Sequence, residues 1–175
     1  MRERADAERV RALARELGRA AREEIDLYLT GGATAVIEGW RRSTVDVDLY
    51  LEPDTDDVMR RIATVKDELS INIELASPPD FIPELPGWRE RSPFVLREGK
   101  VTVRHFDPYS QALSKIERDF ELDRSDVQAM IERRLVEPAR LQELFAEIEP
   151  ALIRYPRIDP ADFRCKLDRA LSRLD

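Results

Sequence analysis

The sequence predicts an α/β (α+β) protein, a β-sheet core packed by helices and followed by a C-terminal helical appendage. Two observations carry this. Strand-like and helix-like periods alternate through roughly the first hundred residues, and only helical periods follow from Pro108 onward. The 175 residues are 37% charged with a net charge of −7, which disfavours non-specific attraction to nucleic acid or an anionic membrane. One cysteine, Cys165, and one histidine, His105, exclude an internal disulfide, a cysteine zinc site and a multi-histidine cluster, so the chemistry falls to carboxylates. The N-terminus is charged from Arg2 and no long apolar run follows, so the chain reads as cytoplasmic, with no signal segment and no membrane partner.

From Ala5 to about Glu23, Val10, Leu13, Ala14, Leu17 and Ala21 recur at helical spacing. The arginines opposite them alternate with Glu8, Glu16, Glu23 and Glu24, which reads as an ion-paired solvent face rather than a nucleic-acid path. Ile25, Leu27 and Leu29 then alternate with Asp26, Tyr28 and Thr30 until Gly31-Gly32 breaks the strand period and opens a helix. After Arg41-Arg42, Val45, Val47, Leu49 and Leu51 alternate with Asp46, Asp48 and Tyr50, so one strand face is aliphatic and the other acidic. Pro53 and the acids around it form a turn with capping carboxylates, and Val58, Ile62, Val65 and Leu69 predict the next helix. Ile71, Ile73 and Leu75 alternate with Asn72 and Glu74, a third strand whose polar residues share the face of Asp46 and Asp48.

Ser77 to Ser92 has four prolines and no clear period, the composition of an irregular lid or binding loop. Its Phe81 and Trp88 read as anchors of the loop ahead of platforms for a base. Phe94–Arg97 and Val101–Phe106 flank a glycine-containing turn as a hairpin, with His105 at its end as a local hydrogen-bonding residue. Short helices follow, the last carrying Phe163, Leu167, Ala170 and Leu174. The expected organisation is a core over residues 1–107 with an N-terminal cap helix, then a helical region over 108–175.

The central stretch carries the chemistry. A helix opened by two glycines presents unpaired N–H groups to an anion, and two carboxylates on one strand face repel unless a cation lies between them. An anion cradle one helix and one turn away from Asp46 and Asp48 suits a metal–triphosphate ligand. Taken alone, the Asp-Val-Asp tripeptide also reads as the acidic outer face of a half-exposed strand.

Gly31-Gly32 followed by Arg42-x-Thr44-x-Asp46-x-Asp48 resembles the signature of the polymerase-β-type nucleotidyltransferase superfamily, in particular its AbiEii-type toxin branch. The resemblance implies a nucleotidyltransferase-type mixed sheet and transfer of NMP from an NTP to an acceptor hydroxyl with Mg²⁺ or Mn²⁺. It implies that Asp46, Asp48 and Glu74 are catalytic metal ligands, and that Gly31, Gly32, Arg42, Ser43 and Thr44 bind the nucleotide. Lys115-Ile-Glu-Arg118 with Asp123-Arg-Ser-Asp126 is similar to a segment of that branch whose lysine lies near the nucleotide, which adds Lys115 to the nucleotide-binding set. The implied partners are NTP, an RNA acceptor such as tRNA or a protein acceptor, and, for the toxin of a toxin–antitoxin system, a cognate antitoxin protein. The alternative is a non-catalytic nucleotide-sensing or partner-binding protein on the same fold.

Overall fold

A computed structural model describes residues 2–173, arranged as two compact units. The first takes in the chain through Ser77 and again Ser92–Phe106; the second comprises Pro78–Arg91 and the chain from Asp107 on. The sequence predicts a continuous core over 1–107, whereas the excursion 78–91 groups with the helical unit. Arg91 ties it there: Nε and Nη2 reach the buried carboxylate of Asp107 at 3.1 and 2.7 Å, while Nη1 donates to the Pro86 carbonyl at 2.7 Å.

In the first unit, α1 (Ala7–Ala20), β1 (Ile25–Thr30), α2 (Gly31–Glu38), β2 (Asp46–Glu52), α3 (Asp56–Glu68) and β3 (Asn72–Leu75) are followed by the hairpin β4 (Phe94–Glu98) and β5 (Val101–His105). The sheet order is β3-β2-β1-β5-β4, with β1–β2 and β4–β5 antiparallel and β1–β5 and β2–β3 parallel. This is the expected mixed α/β architecture. Helix α1 starts two residues later than its periodicity suggests, because Asp6 caps it by accepting from the Arg9 amide and Ala5 instead pairs with Thr44.

The core lies on one face of the sheet. Val10, Leu13 and Leu17 of α1 and Val58, Ile62 and Val65 of α3 pack with Leu27, Leu29, Val47, Leu49, Ile73, Val101 and Val103. Ile71 and Ile73 are buried as expected, but Leu75 is 53% exposed at the end of an edge strand with a neighbour on one side only. Val45, expected on the aliphatic face, precedes β2 and is 56% exposed.

The second unit holds a 3-10 turn at Pro78–Asp80, α4 (Pro108–Arg118), α5 (Glu121–Glu132), α6 (Pro138–Ile148), a 3-10 segment at Glu149–Arg154 and α7 (Pro160–Ser172). Of the two loop aromatics, Trp88 is buried, with the Arg89 guanidinium 4.4 Å from its ring centre, while Phe81 is half exposed. Phe163 and Leu167 bury the inner side of α7, whereas Leu174 lies outside the described residues. Among the described residues no helix is long and apolar enough to cross a membrane.

Asp107 fixes the start of α4. Its carboxylate accepts from the Tyr109 and Ser110 amides and from the Ser110 hydroxyl while paired with Arg91. Removing it leaves Arg91 and two helix-start amides without their acceptor. Asp107→Ala should therefore lower the unfolding free energy by about 3–5 kcal/mol, read by urea denaturation; an unchanged midpoint would remove Asp107 from this role.

Candidate active site

Register on the polar face of the sheet sets the geometry. Asp48 stands directly between Thr30 of β1 and Glu74 of β3, and Asp46 is paired with Asn72. Adjacent strands lie about 4.8 Å apart, so the Asp48 and Glu74 carboxylates can share one cation. Asp46 and Asp48 are half-buried and Glu74 is exposed, which leaves this edge open to solvent. The Asn72 amide nitrogen donates to Asp46 Oδ1 at 2.5 Å and lies 3.4 Å from Glu74 Oε1. Farther along the same face, Tyr50 and Tyr28 meet each other and Phe106 at ring distances of 5.9 to 6.4 Å.

The glycine pair is required by close approach. Gly31 begins α2 at φ +59°, and a Cβ there would meet Asp48 Oδ2 at 2.8 Å. At Gly32 a Cβ would meet Thr44 Oγ1 at 2.0 Å. Asp48 thus stands over the start of α2, where the helix dipole favours a negative charge. Thr30, the residue before the helix, makes no side-chain cap.

The turn into β2 is built from the other expected residues. Buried Thr44 donates to the Asp46 carbonyl at 2.9 Å and pairs its backbone with Ala5, while Ser43 Oγ accepts from Arg4 Nε at 3.0 Å. Arg42 is exposed; the guanidinium beside Gly32 belongs to Arg41, 3.5 Å from the position of a Cβ there. Asn72, Arg2 and Arg41 are members of this neighbourhood that the sequence pattern passes over. A two-residue alternation marks Asn72 as outward-facing but says nothing of what it touches.

Lys115 belongs to the second unit. It is buried there, with Nζ 2.7 Å from Asp126 and 3.5 Å from Asp123. Burial pushes the Asp123 carboxyl up, but hydrogen bonds from Arg118 at 2.6 and 2.8 Å and the charge of Lys115 outweigh it and hold the pKa below its ordinary value. A cavity of about 320 Å³ in this unit is lined by Lys115, Arg124, Lys166 and Arg169 among others. Several of its cations already have acids: Arg124 and Arg169 reach Asp119, and Lys166 reaches Asp162.

Among the described residues no group of three or more His, Cys, Asp or Glu side chains is placed to hold a metal ion by itself. Mg²⁺ does not need one, since it keeps several waters and is held by one or two carboxylates together with substrate phosphates. An open edge bearing Asp46, Asp48 and Glu74 beside a helix start fits that demand, with the Asp48 carboxylate already filling the space above Gly31.

The five-stranded mixed sheet, with helices on its apolar face and a glycine-opened helix beside an acidic strand, defines a nucleotidyltransferase-type architecture. Residues 8–165 match the model of a family described as a nucleotidyltransferase of unknown function (DUF6036), and the chain belongs to that family. No curated protein and no solved structure matches it. The match supports the nucleotidyltransferase superfamily and does not single out the AbiEii-type branch.

Two outcomes follow from this geometry. Gly32→Ala should destabilise the protein by about 1–3 kcal/mol through the clash with Thr44, and adding Thr44→Gly should recover part of the loss in chemical denaturation. Recovery of none of it would mean the Thr44 contact is not what excludes a side chain at 32.

The second concerns His105, which is buried with Nδ1 3.1 Å from Thr34 Oγ1 and Nε2 2.8 Å from Glu38 Oε1. Burial pushes its pKa below 6.5, partly opposed by Glu38. The unfolded chain therefore takes up a proton that the folded chain resists, so this stability is fully present above pH 6.5 and lost as pH falls below it. His105→Gln should flatten the fall in melting temperature between pH 6.5 and 5 relative to the parent; parallel curves would exclude His105 as the source.

Proposed function

We propose that the chain is a divalent-cation-dependent nucleotidyltransferase that moves an NMP unit from an NTP to an acceptor hydroxyl and releases pyrophosphate. The observation behind this reading is the row Thr30–Asp48–Glu74, with Asp46 one step away on the same face and the start of α2 beside Asp48. Mg²⁺ or Mn²⁺ bound there would offset the triphosphate charge and stabilise the attacking and leaving oxygens. Asp46 and Asp48 would hold the cation-bound triphosphate. The amides at Gly31 and Gly32, with Ser43 and Thr44 of the turn, would receive phosphate oxygens, and Arg41 and Arg42 would offset developing charge. Glu74 would complete the carboxylate set on the side of the acceptor hydroxyl. Lys115, paired with Asp126 and Asp123 in the second unit, would add a cation to the phosphate-binding set.

The family description supports transferase chemistry, and the AbiEii-type resemblance is what extends it to a toxin role, a cognate antitoxin and an RNA or protein acceptor. Transfer of label from each α-labelled NTP to total cell RNA and to total cell protein separates the two acceptors. Binding of nucleotide with no transfer to either pool would favour a nucleotide-sensing protein on this fold.

Mg²⁺ and NTP together should raise the melting temperature by more than the sum of their separate shifts, because each offsets the other's repulsion. Glu74→Gln should keep most of that joint shift while transfer falls on the order of 100-fold, since misplacement at the reacting centre affects the barrier more than ground-state binding. Transfer by Glu74→Gln at the parental rate would remove Glu74 from the site.

A further inference from the structure

We propose that Arg2 and Asn72 form a positioning relay that presets the carboxylates of Asp46 and Glu74 for cation binding. The inference rests on the reading of those carboxylates as cation-holding groups. Arg2 Nη1 donates to Asn72 Oδ1 at 2.6 Å, and Asn72 in turn donates from Nδ2 to Asp46 at 2.5 Å, with Glu74 at 3.4 Å. A guanidinium can only donate, so it fixes which end of the Asn72 amide faces it; the NH₂ must then face the two carboxylates, which as anions only accept. One amide nitrogen has two hydrogens and serves two acids. With the amide reversed, its oxygen would oppose the Asp46 carboxylate, and the pair would lose its bridge.

Arg2 is not at this spot by chance contact of a loose end. The Glu3 amide donates to the Ser70 carbonyl at 2.6 Å, and Ala5 exchanges two backbone hydrogen bonds of 2.8 Å with Thr44, so the N-terminal strap is pinned at two points directly after Arg2. Arg4 and Arg9 add to this, Arg4 through Ser43 and Arg9 through the Arg4 carbonyl and the Glu3 carboxylate. Asp67, 3.5 Å from Arg2 Nη2, holds the other side of the guanidinium. Groups that orient metal-binding side chains from behind act on affinity through geometry, with losses of about 10–100-fold on removal. Arg2 and Asn72 are positioning residues in this sense and need not touch the substrate.

The test uses the full chain with Mn²⁺ and a non-hydrolysable NTP analogue, and measures free Mn²⁺ by electron paramagnetic resonance beside the melting temperature in a chelator. Asn72→Ala should weaken Mn²⁺ binding by about tenfold. Arg2→Ala, at an exposed position where folding is not at stake, should weaken it in the same direction, and Arg2→Lys should restore most of the loss by keeping a donor. Because Arg2 acts through Asn72, the double variant should bind no more weakly than Asn72→Ala alone. In the chelator, the effects of Asn72→Ala and Asp46→Asn on melting temperature should be non-additive for the same reason. Mn²⁺ affinity of Asn72→Ala within twofold of the parent, or effects of Arg2→Ala and Asn72→Ala that multiply, would overturn the relay while leaving the transferase reading intact. A parent that takes up no Mn²⁺ with nucleotide would overturn both.

Discussion

The pleat of β2 is the constraint on which both the core and the candidate site depend. Val47, Leu49 and Leu51 are buried on one face, while Asp46, Asp48, Tyr50 and Glu52 stand half-buried on the other. Burying an aliphatic side chain of this size stabilises by about 1.5–3 kcal/mol. A slip of one residue between β1 and β3 would exchange the faces, forfeit that burial and drive carboxylates into the apolar layer. The register that protects the core is therefore the same register that aligns Thr30, Asp48 and Glu74 in one row. The backbone positions of Asp48 and Glu74 held this way cannot shift without unfolding the sheet beneath them, which is one part of the preorganisation that stabilising developing charge requires.

Around that row, space and charge are settled by small residues and by the N-terminal strap. Asp48 comes close to the backbone at Gly31, and Thr44 close to that at Gly32, because neither glycine has a side chain. The proximity of Asp48 to the helix start offsets part of the repulsion it feels from its acidic neighbours. Asn72 does the same for Asp46. Each carboxylate thus has a local donor or dipole, and together they present an open acidic edge suited to a hydrated hard cation.

The second unit settles its charges in a different way. Asp107, Lys115, Asp123 and Asp126 are all buried, and each is paired within the unit. Removing one partner of such a pair is costly because it strands the other in a poorly solvated place. The family relationship supports nucleotidyltransferase chemistry for the chain, while the carboxylate edge and glycine turn supply a physical basis for it in the first unit.

Periodicity alone determined the strands, most helices, the hairpin and the shared face of Asp46, Asp48 and Glu74, because pleat and helix pitch are properties of the local backbone. It also placed Leu75 and Val45 among the buried aliphatics, and there it failed: alternation gives a side but not whether a neighbour covers it, and Leu75 lies at an edge while Val45 precedes its strand. Which arginine of the pair stands beside Gly32 depended on the path of the turn, and the grouping of 78–91 with the helices depended on Arg91 finding Asp107. The link from Arg2 to Asn72 spans seventy residues. Only tertiary structure could decide these, because a donor's partner is fixed by where the chain returns in space, and no local period encodes that return.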